Sequence, residues 1–148
     1  MDSSSCTIYI QCGEVCSMMT EHELVQMALK AREYAYAPYS CFRVGAALLC
    51  SDGKVYTGCN IENASYPCGI CAERTAAAKA VSEGHTAFEA LAVVGSSQEI
   101  CTPCGLCRQF LFEFAPGLKV LCARADGSYE RHCLSDLLKA GFGGKSMV

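Results

Sequence analysis

The chain has 148 residues, of which 51% are hydrophobic and 18% charged, with a formal net charge of −3. This balance favours a compact domain with a sizeable core, excludes a largely disordered chain, and offers no basic patch for nucleic acid. No apolar stretch approaches the roughly 20 residues that span a bilayer. Residues 1–5 lack the basic start of a signal peptide. We therefore expect a cytoplasmic protein with no membrane or nucleic-acid partner.

The predicted elements alternate between helices and strands. Residues 1–19 are predicted to be a variable, poorly ordered tail, and residues 20–148 a single domain. Thr20 and Glu23 form a capping-box pattern at the start of a first helix, which Pro38 should end. The later elements are strands 42–50 and 54–61 joined across Asp52-Gly53, a helix from about Cys71 to Gly84, strand 88–94, a helix from near Cys104 to before Pro116, strands 118–123 and 128–133 around Asp126-Gly127, and a short helix at 134–139.

This alternation predicts the fold class. Strands separated by helices favour an α/β sandwich on a mixed sheet. The Asp52-Gly53 hairpin makes its two strands antiparallel, whereas later strands that are separated by a helix can run parallel.

The chain contains 13 cysteines. Disulfides are typical of exported proteins, and no export signal accompanies these cysteines, so we expect reduced thiols. Three lie in apolar, strand-like runs, where a free cysteine usually acts as a small hydrophobic residue: Cys50, Cys59 and Cys122.

Two short motifs combine three further cysteines with a carboxylate. They are Cys71-Ala72-Glu73 and Pro103-Cys104-Gly105-Leu106-Cys107. A catalytic zinc uses three protein ligands and leaves its fourth position to a water molecule, whose pKa falls to about 7. Thiolates at Cys71, Cys104 and Cys107, with Glu73 as a proton carrier, match the pattern of zinc deaminases.

The spacing of these residues predicts their placement. Cys104 and Cys107 are three residues apart, so one helical turn puts both thiols on the same side. Within a helix, Cys71 and Glu73 would point roughly 200° apart, so we expect Cys71 at the helix start, before its direction is helical. Both helix N-termini then aim partial positive charge at the thiolates. Because three thiolates and Zn²⁺ sum to a negative charge, Arg74 is predicted to donate hydrogen bonds to the cysteine sulfurs.

Two other functions remain compatible with the cysteine spacing. Cys68 precedes Cys71 by three residues, so four cysteines could form a closed structural zinc site without catalysis. The pair of Cys104 and Cys107 alone could serve as a thiol redox motif. Glu73 has no role in either alternative.

Five motifs along the chain carry a family resemblance. They are Ala37-Pro38-Tyr39-Ser40, Phe42-Arg43-Val44-Gly45-Ala46-Ala47-Leu48, Gly58-Cys59-Asn60-Ile61-Glu62-Asn63-Ala64, Cys71-Ala72-Glu73-Arg74-Thr75-Ala76 and Pro103-Cys104-Gly105-Leu106-Cys107-Arg108-Gln109. In this order, and from about the first helix to near Phe142, the chain resembles the small cytidine deaminases that act on free nucleosides.

The resemblance implies a fold, a reaction and an assembly. The fold is a three-layer α/β/α sandwich on a five-stranded mixed sheet. The reaction is zinc-dependent hydrolytic deamination of cytidine and deoxycytidine, with one zinc ion per chain, and the assembly is a homotetramer. A related deaminase that acts on another small cytosine-containing nucleoside is the nearest alternative.

The resemblance also implies roles for residues around the substrate. Asn60 and Glu62 would bind the ribose, and Phe42 and Val44 would wall the base. The backbone at Ala72 would accept a hydrogen bond from the exocyclic amine. Three further residues would reach the site of a neighbouring subunit: Ala64, Tyr66 and Phe142.

Overall fold

The computed structural model describes residues 19–147. The predicted poorly ordered tail therefore lies outside the described residues, except for its last position. The helices and strands are α1 (Glu21–Arg32), β1 (Gly45–Cys50), β2 (Val55–Cys59), α2 (Ala72–Ser82), β3 (Phe88–Val94), α3 (Gly105–Phe112), β4 (Lys119–Ala123), β5 (Tyr129–Cys133) and α4 (Leu134–Leu137), with 3₁₀ turns at Tyr66–Cys68 and Gly144–Met147.

The strands form one five-stranded mixed sheet in the order β2-β1-β3-β4-β5. Strands β3 and β4 run parallel, and the other neighbouring strands are antiparallel. Two hairpins begin and end the sheet, and their turns place Gly53 and Gly127 at a φ of 88°. This left-handed conformation favours glycine. The predicted mixed sheet and both hairpins are confirmed.

Helices cover both faces of the sheet. On one face, α1 packs Leu24, Val25 and Ala28 against inward-facing residues of β1, β3 and β4. On the other face, α2 and α3 contribute to a second core. Strand β1 is buried along its whole length because it lies between the two helical layers. The three-layer α/β/α sandwich is therefore confirmed.

Helix α1 begins as predicted but ends early. Thr20 and Glu23 form the full capping box, in which the Glu23 backbone donates to Thr20 Oγ1 at 3.1 Å. The prediction that Pro38 ends the helix was wrong, because the helix ends at Arg32. Tyr36 is instead bonded to the chain beyond β2, donating to the carbonyl of Asn60 at 3.0 Å. Because the Tyr36 backbone makes this long-range bond, it cannot make the hydrogen bond that would continue the helix.

The first two strands are shorter than predicted. Residues 42–44 precede β1, and residues 60–61 follow β2. The side chain of Asn60 adds to the backbone bond from its own nitrogen to the Val44 carbonyl at 3.1 Å. Its Oδ1 accepts from the Val44 backbone and its Nδ2 donates to the Phe42 carbonyl, each at 2.8 Å. Asn60 and Glu62 therefore lie beyond the end of β2.

A close contact between β2 and α2 positions the start of that helix. A Cβ atom on Gly58 would lie 2.4 Å from the carbonyl oxygen of Ala72 and 2.5 Å from the backbone nitrogen of Ala76. Only a glycine allows this approach. The first turns of α2 are thus seated directly on the strand, which places Cys71 at the edge of the sheet.

No helix in the described part of the chain is long and apolar enough to cross a membrane.

Candidate metal centre and adjoining pocket

The N-termini of two helices bring the predicted metal ligands together. Cys71 is the N-cap residue of α2, with an extended φ of −77° and ψ of 155°. Cys104 is the N-cap residue of α3, with φ −67° and ψ 168°, and Cys107 lies in the first turn of α3. The extended conformation of Cys71 confirms that its side chain leaves the backbone before the helical direction is set.

The three thiols are close enough to bind one metal ion. Their Sγ atoms all lie within 4.8 Å of one another, and the Sγ atoms of Cys71 and Cys104 are 3.7 Å apart. Tetrahedral zinc with Zn–S bonds near 2.3 Å would separate two sulfur ligands by about 3.8 Å. The donor set and its spacing therefore fit zinc.

Among residues 19–147, the cluster consists of these three cysteines and does not include Cys68. Cys68 is exposed at the end of the 3₁₀ turn. A three-cysteine set leaves a coordination position for water, as catalytic zinc sites do, whereas a structural site is closed by four ligands. A redox pair would need only Cys104 and Cys107, so it gives no reason for Cys71 to lie beside them.

Hydrogen bonds favour the ionised form of Cys71. Cys107 and Arg74 donate to its sulfur, which lowers the pKa of Cys71 to about 5. The Nη2 atom of Arg74 lies 3.8 Å from Cys71 Sγ. The Cys107 thiol donates its proton to this hydrogen bond and is buried, and both effects raise the pKa of Cys107. A thiolate is thus available for a metal at neutral pH.

Glu73 is a buried carboxyl group beside the thiols. Only 3% of the residue is exposed, although it lies in the first turn of α2. Burial raises the pKa of Glu73 to about 7, and the negative charge of Cys71 acts in the same direction. A carboxyl group with a pKa near neutrality can both take up and release a proton, which is what a general acid–base residue must do.

A pocket of ≈ 620 Å³ is lined in part by Cys71. This volume is within the range of small-molecule sites. Its lining includes five predicted site residues: Asn60, Glu62, Tyr66, Cys71 and Arg74. It also includes Leu106, an exposed apolar residue between Cys104 and Cys107 in the sequence. Leu106 was not predicted, although an apolar side chain placed between two ligands is a signal that could have identified it.

The carboxylate of Glu62 is held by the loop before β1. It accepts hydrogen bonds from the backbone nitrogens of Tyr39 at 2.9 Å and Ser40 at 3.2 Å, and from the Ser40 hydroxyl. The Ser40 hydroxyl lowers the pKa of Glu62, so the group is ionised at neutral pH. Sequence reasoning missed Ser40, although it belongs to the quoted Ala37-Pro38-Tyr39-Ser40 motif.

Other predicted site residues lie outside this lining or in unexpected places. Phe42 and Val44 precede β1, and Ala64 is exposed. Phe142 lies beside α3, where its carbonyl accepts from Gln109 Nε2 at 2.8 Å. Tyr66 lines the pocket of its own chain, with its ring centroid 6.1 Å from that of Tyr39.

The fold and the site together define an α/β protein that presents three thiols and a buried carboxyl group at two helix N-termini, the arrangement of zinc deaminases. Residues 18–123 match the family model described as the cytidine and deoxycytidylate deaminase zinc-binding region. The chain belongs to this family.

Close relatives cover most of the chain. A cytidine deaminase of Sporosarcina psychrophila is 48% identical over 84% of this chain and 92% of its own. One of Halalkalibacterium halodurans is 46% identical over 87% of this chain and 98% of its own.

Solved structures agree with the sequence relatives. The cytidine deaminase of Burkholderia pseudomallei is 48% identical with a TM-score of 0.81, covering 84% of this chain and 100% of that chain. The enzyme of Mycobacterium tuberculosis is 40% identical with a TM-score of 0.71, covering 81% of this chain and 94% of that chain.

Proposed function

We propose that this chain is a hydrolase that deaminates cytidine and deoxycytidine, converting each with one water molecule into the uracil nucleoside and ammonia. The observation that carries this proposal is the buried Glu73 directly beside three converging thiols. Relatives named cytidine deaminase across most of the chain support the choice of substrate.

The proposed ligands of one zinc ion per chain are Cys71, Cys104 and Cys107. Zinc, when bound, supplies a Lewis acid that lowers the pKa of a water molecule to about 7. Arg74 donates to Cys71 and offsets part of the negative charge that three thiolates bring to the site.

Glu73 carries the protons of the reaction. Its carboxylate takes a proton from water and delivers it to ring N3, while the water oxygen forms a bond to C4. It then passes the second proton of that oxygen to the amino nitrogen. The bond between C4 and the amino nitrogen breaks, ammonia leaves, and N3 keeps its proton in the uracil product. The burial of Glu73 limits proton exchange with bulk water during these steps.

The remaining predicted site residues orient the nucleoside. Glu62 supplies a charged acceptor and Asn60 a neutral amide for the ribose hydroxyls, and both line the pocket. Phe42 and Val44 wall the base, and the backbone at Ala72 accepts from the exocyclic amine. Asn60 donates a hydrogen bond to the Phe42 carbonyl and accepts one from the Val44 backbone. These two bonds connect the ribose-binding residue to the residues that wall the base.

The proposed working unit is a cytoplasmic homotetramer with no nucleic-acid partner, in which residues 20–148 form one deaminase domain. Ala64, Tyr66 and Phe142 would complete the site of a neighbouring subunit. Large exposed apolar side chains support an assembly, since such surfaces commonly mark interfaces. They include Tyr34 with 80% of its surface exposed, Tyr66 with 78% and Phe142 with 57%.

The test is to incubate the purified protein with cytidine and to follow the loss of cytosine absorbance with and without a zinc chelator. We expect deamination that the chelator abolishes and that added zinc restores. A protein that contains zinc but leaves cytidine and deoxycytidine unchanged would contradict the proposal and favour another cytosine-containing nucleoside or a structural zinc site.

A further inference from the structure

Gly95 lies immediately after β3 and faces the ring of Phe42. A Cβ atom placed on Gly95 would be 2.6 Å from Phe42 Cζ, 3.2 Å from Phe42 Cε1 and 3.4 Å from Cys101 Cβ. Carbon atoms do not approach to 2.6 Å without displacement of one of them. The tip of the Phe42 ring therefore occupies the space that a side chain at position 95 would need.

The Gly95 carbonyl and the Ser96 side chain are each bonded to a neighbouring segment. Arg32 Nη1 donates to the Gly95 carbonyl at 2.6 Å, and the Arg43 backbone donates to Ser96 Oγ at 3.0 Å. These bonds tie the end of β3 to α1 and to the residue after Phe42. Since the segment is fixed in this way, a side chain at position 95 would displace the Phe42 ring more readily than its own backbone.

The ring of Phe42 is free to respond. It is 40% exposed, so it can turn toward solvent at little cost to the fold. Its backbone stays in place, because the Phe42 carbonyl accepts from Asn60 Nδ2 at 2.8 Å. Gly95 also lacks the left-handed φ at which a side chain strains the backbone. An alanine there would thus change the direction of one aromatic ring and little else.

We propose that Gly95 is a positioning residue for substrate: its missing side chain keeps the Phe42 ring where it can contact the nucleoside base. The inference rests on the proposed function, in which Phe42 walls the base. It assigns to a residue outside the family motifs a part in setting the affinity for nucleoside.

The experiment compares Gly95→Ala with the wild type by calorimetric titration of the product uridine and by steady-state kinetics with cytidine. Loss of an aromatic contact predicts about 2- to 10-fold weaker uridine binding, a similar rise in KM, and kcat within about twofold, because the ring takes no part in proton transfer. Zinc content and Tm should match the wild type. The control is Gly117→Ala, where an added Cβ meets no atom within 4 Å, and which should behave as wild type.

A second background separates this role from a general effect of alanine. Phe42→Leu removes the ring, so Gly95→Ala should cause no further loss of uridine binding when added to it. Equal losses in both backgrounds would overturn the proposal, as would wild-type binding by Gly95→Ala. If Gly95→Ala alone does not fold, the double variant should fold, because the shorter leucine relieves the overlap, and its failure to fold would also overturn the proposal. A wild-type protein that binds uridine but does not deaminate cytidine would instead contradict the proposed function.

Discussion

Single side chains set the charge and the number of ligands at the metal centre. Arg74 lies 3.8 Å from Cys71 Sγ, and Cys68 is outside the cluster although its spacing imitates a fourth ligand. The convergence of Cys71, Cys104 and Cys107 was predicted because their two motifs match the pattern of zinc deaminases. The four-cysteine site stayed an alternative to the predicted three-cysteine site because spacing alone does not show whether the Cys68 side chain points toward the other thiols.

The first prediction concerns Arg74. Arg74→Gln should weaken zinc retention or slow deamination by about 10- to 100-fold, because the thiolate charge is then less well compensated. The measurement is competition with a zinc chelator alongside cytidine turnover. Arg124→Gln is a suitable control, since Arg124 pairs with Glu130 on β5 at 2.6 Å. Equal zinc affinity and turnover in the Arg74 variant and the wild type would leave Arg74 with no role at the metal.

The second prediction concerns the number of ligands. Cys68→Ala should keep one zinc ion per chain and measurable deamination, because three other thiols hold the metal. Cys71→Ala should lose both. Metal analysis of the two purified variants decides the matter, and an equal loss of zinc in both would support the closed four-cysteine site.

At the scale of elements, local signals predicted where helices begin and where hairpins turn, but not where every element ends. The Thr20 and Glu23 capping box lies within four consecutive residues and was predicted. The early end of β2 and the position of Glu62 depend on contacts between segments about 20 residues apart, such as Glu62 with Ser40. No short-range pattern reports such contacts, so the geometry of the ribose end of the pocket could not be predicted.

The third prediction tests the first of these signals. Thr20→Ala should lower stability by about 1 kcal/mol through loss of the capping hydrogen bond, which corresponds to about 2–4 °C in Tm for a chain of this size. Thr20→Ser keeps the hydroxyl group and should remain close to wild type. A Thr20→Ala protein that melts at the wild-type temperature would show that the capping box does not contribute to stability.

At the scale of the whole molecule, Phe142 connects the C-terminal segment to the metal-bearing helix α3. The Phe142 carbonyl accepts from Gln109, and 57% of the residue is exposed. An exposed ring held in a defined place is expected to be covered in the proposed homotetramer. The sequence predicted this role only by resemblance, because an aromatic residue between glycines carries no signal for the partner it meets.

The fourth prediction is complementation between subunits. Glu73→Ala lacks the proton carrier, and Phe142→Ala lacks the contributed ring. Unfolding and refolding the two variants together should form mixed oligomers in which some sites have both residues. Activity should then exceed the sum of the separate proteins. No increase, despite mixing shown by differently tagged subunits, would mean that each site is built within one chain.

The central claim is that Glu73 moves protons at a zinc site and does not hold the metal. Glu73→Gln keeps the size of the side chain but removes its capacity to accept a proton. The direct measurement is the initial rate of cytidine deamination at equal zinc content in Glu73→Gln and the wild type. We predict one zinc ion per chain in both proteins and a rate at least about 10²-fold lower in the variant. A near-wild-type rate in the zinc-loaded variant would contradict the account.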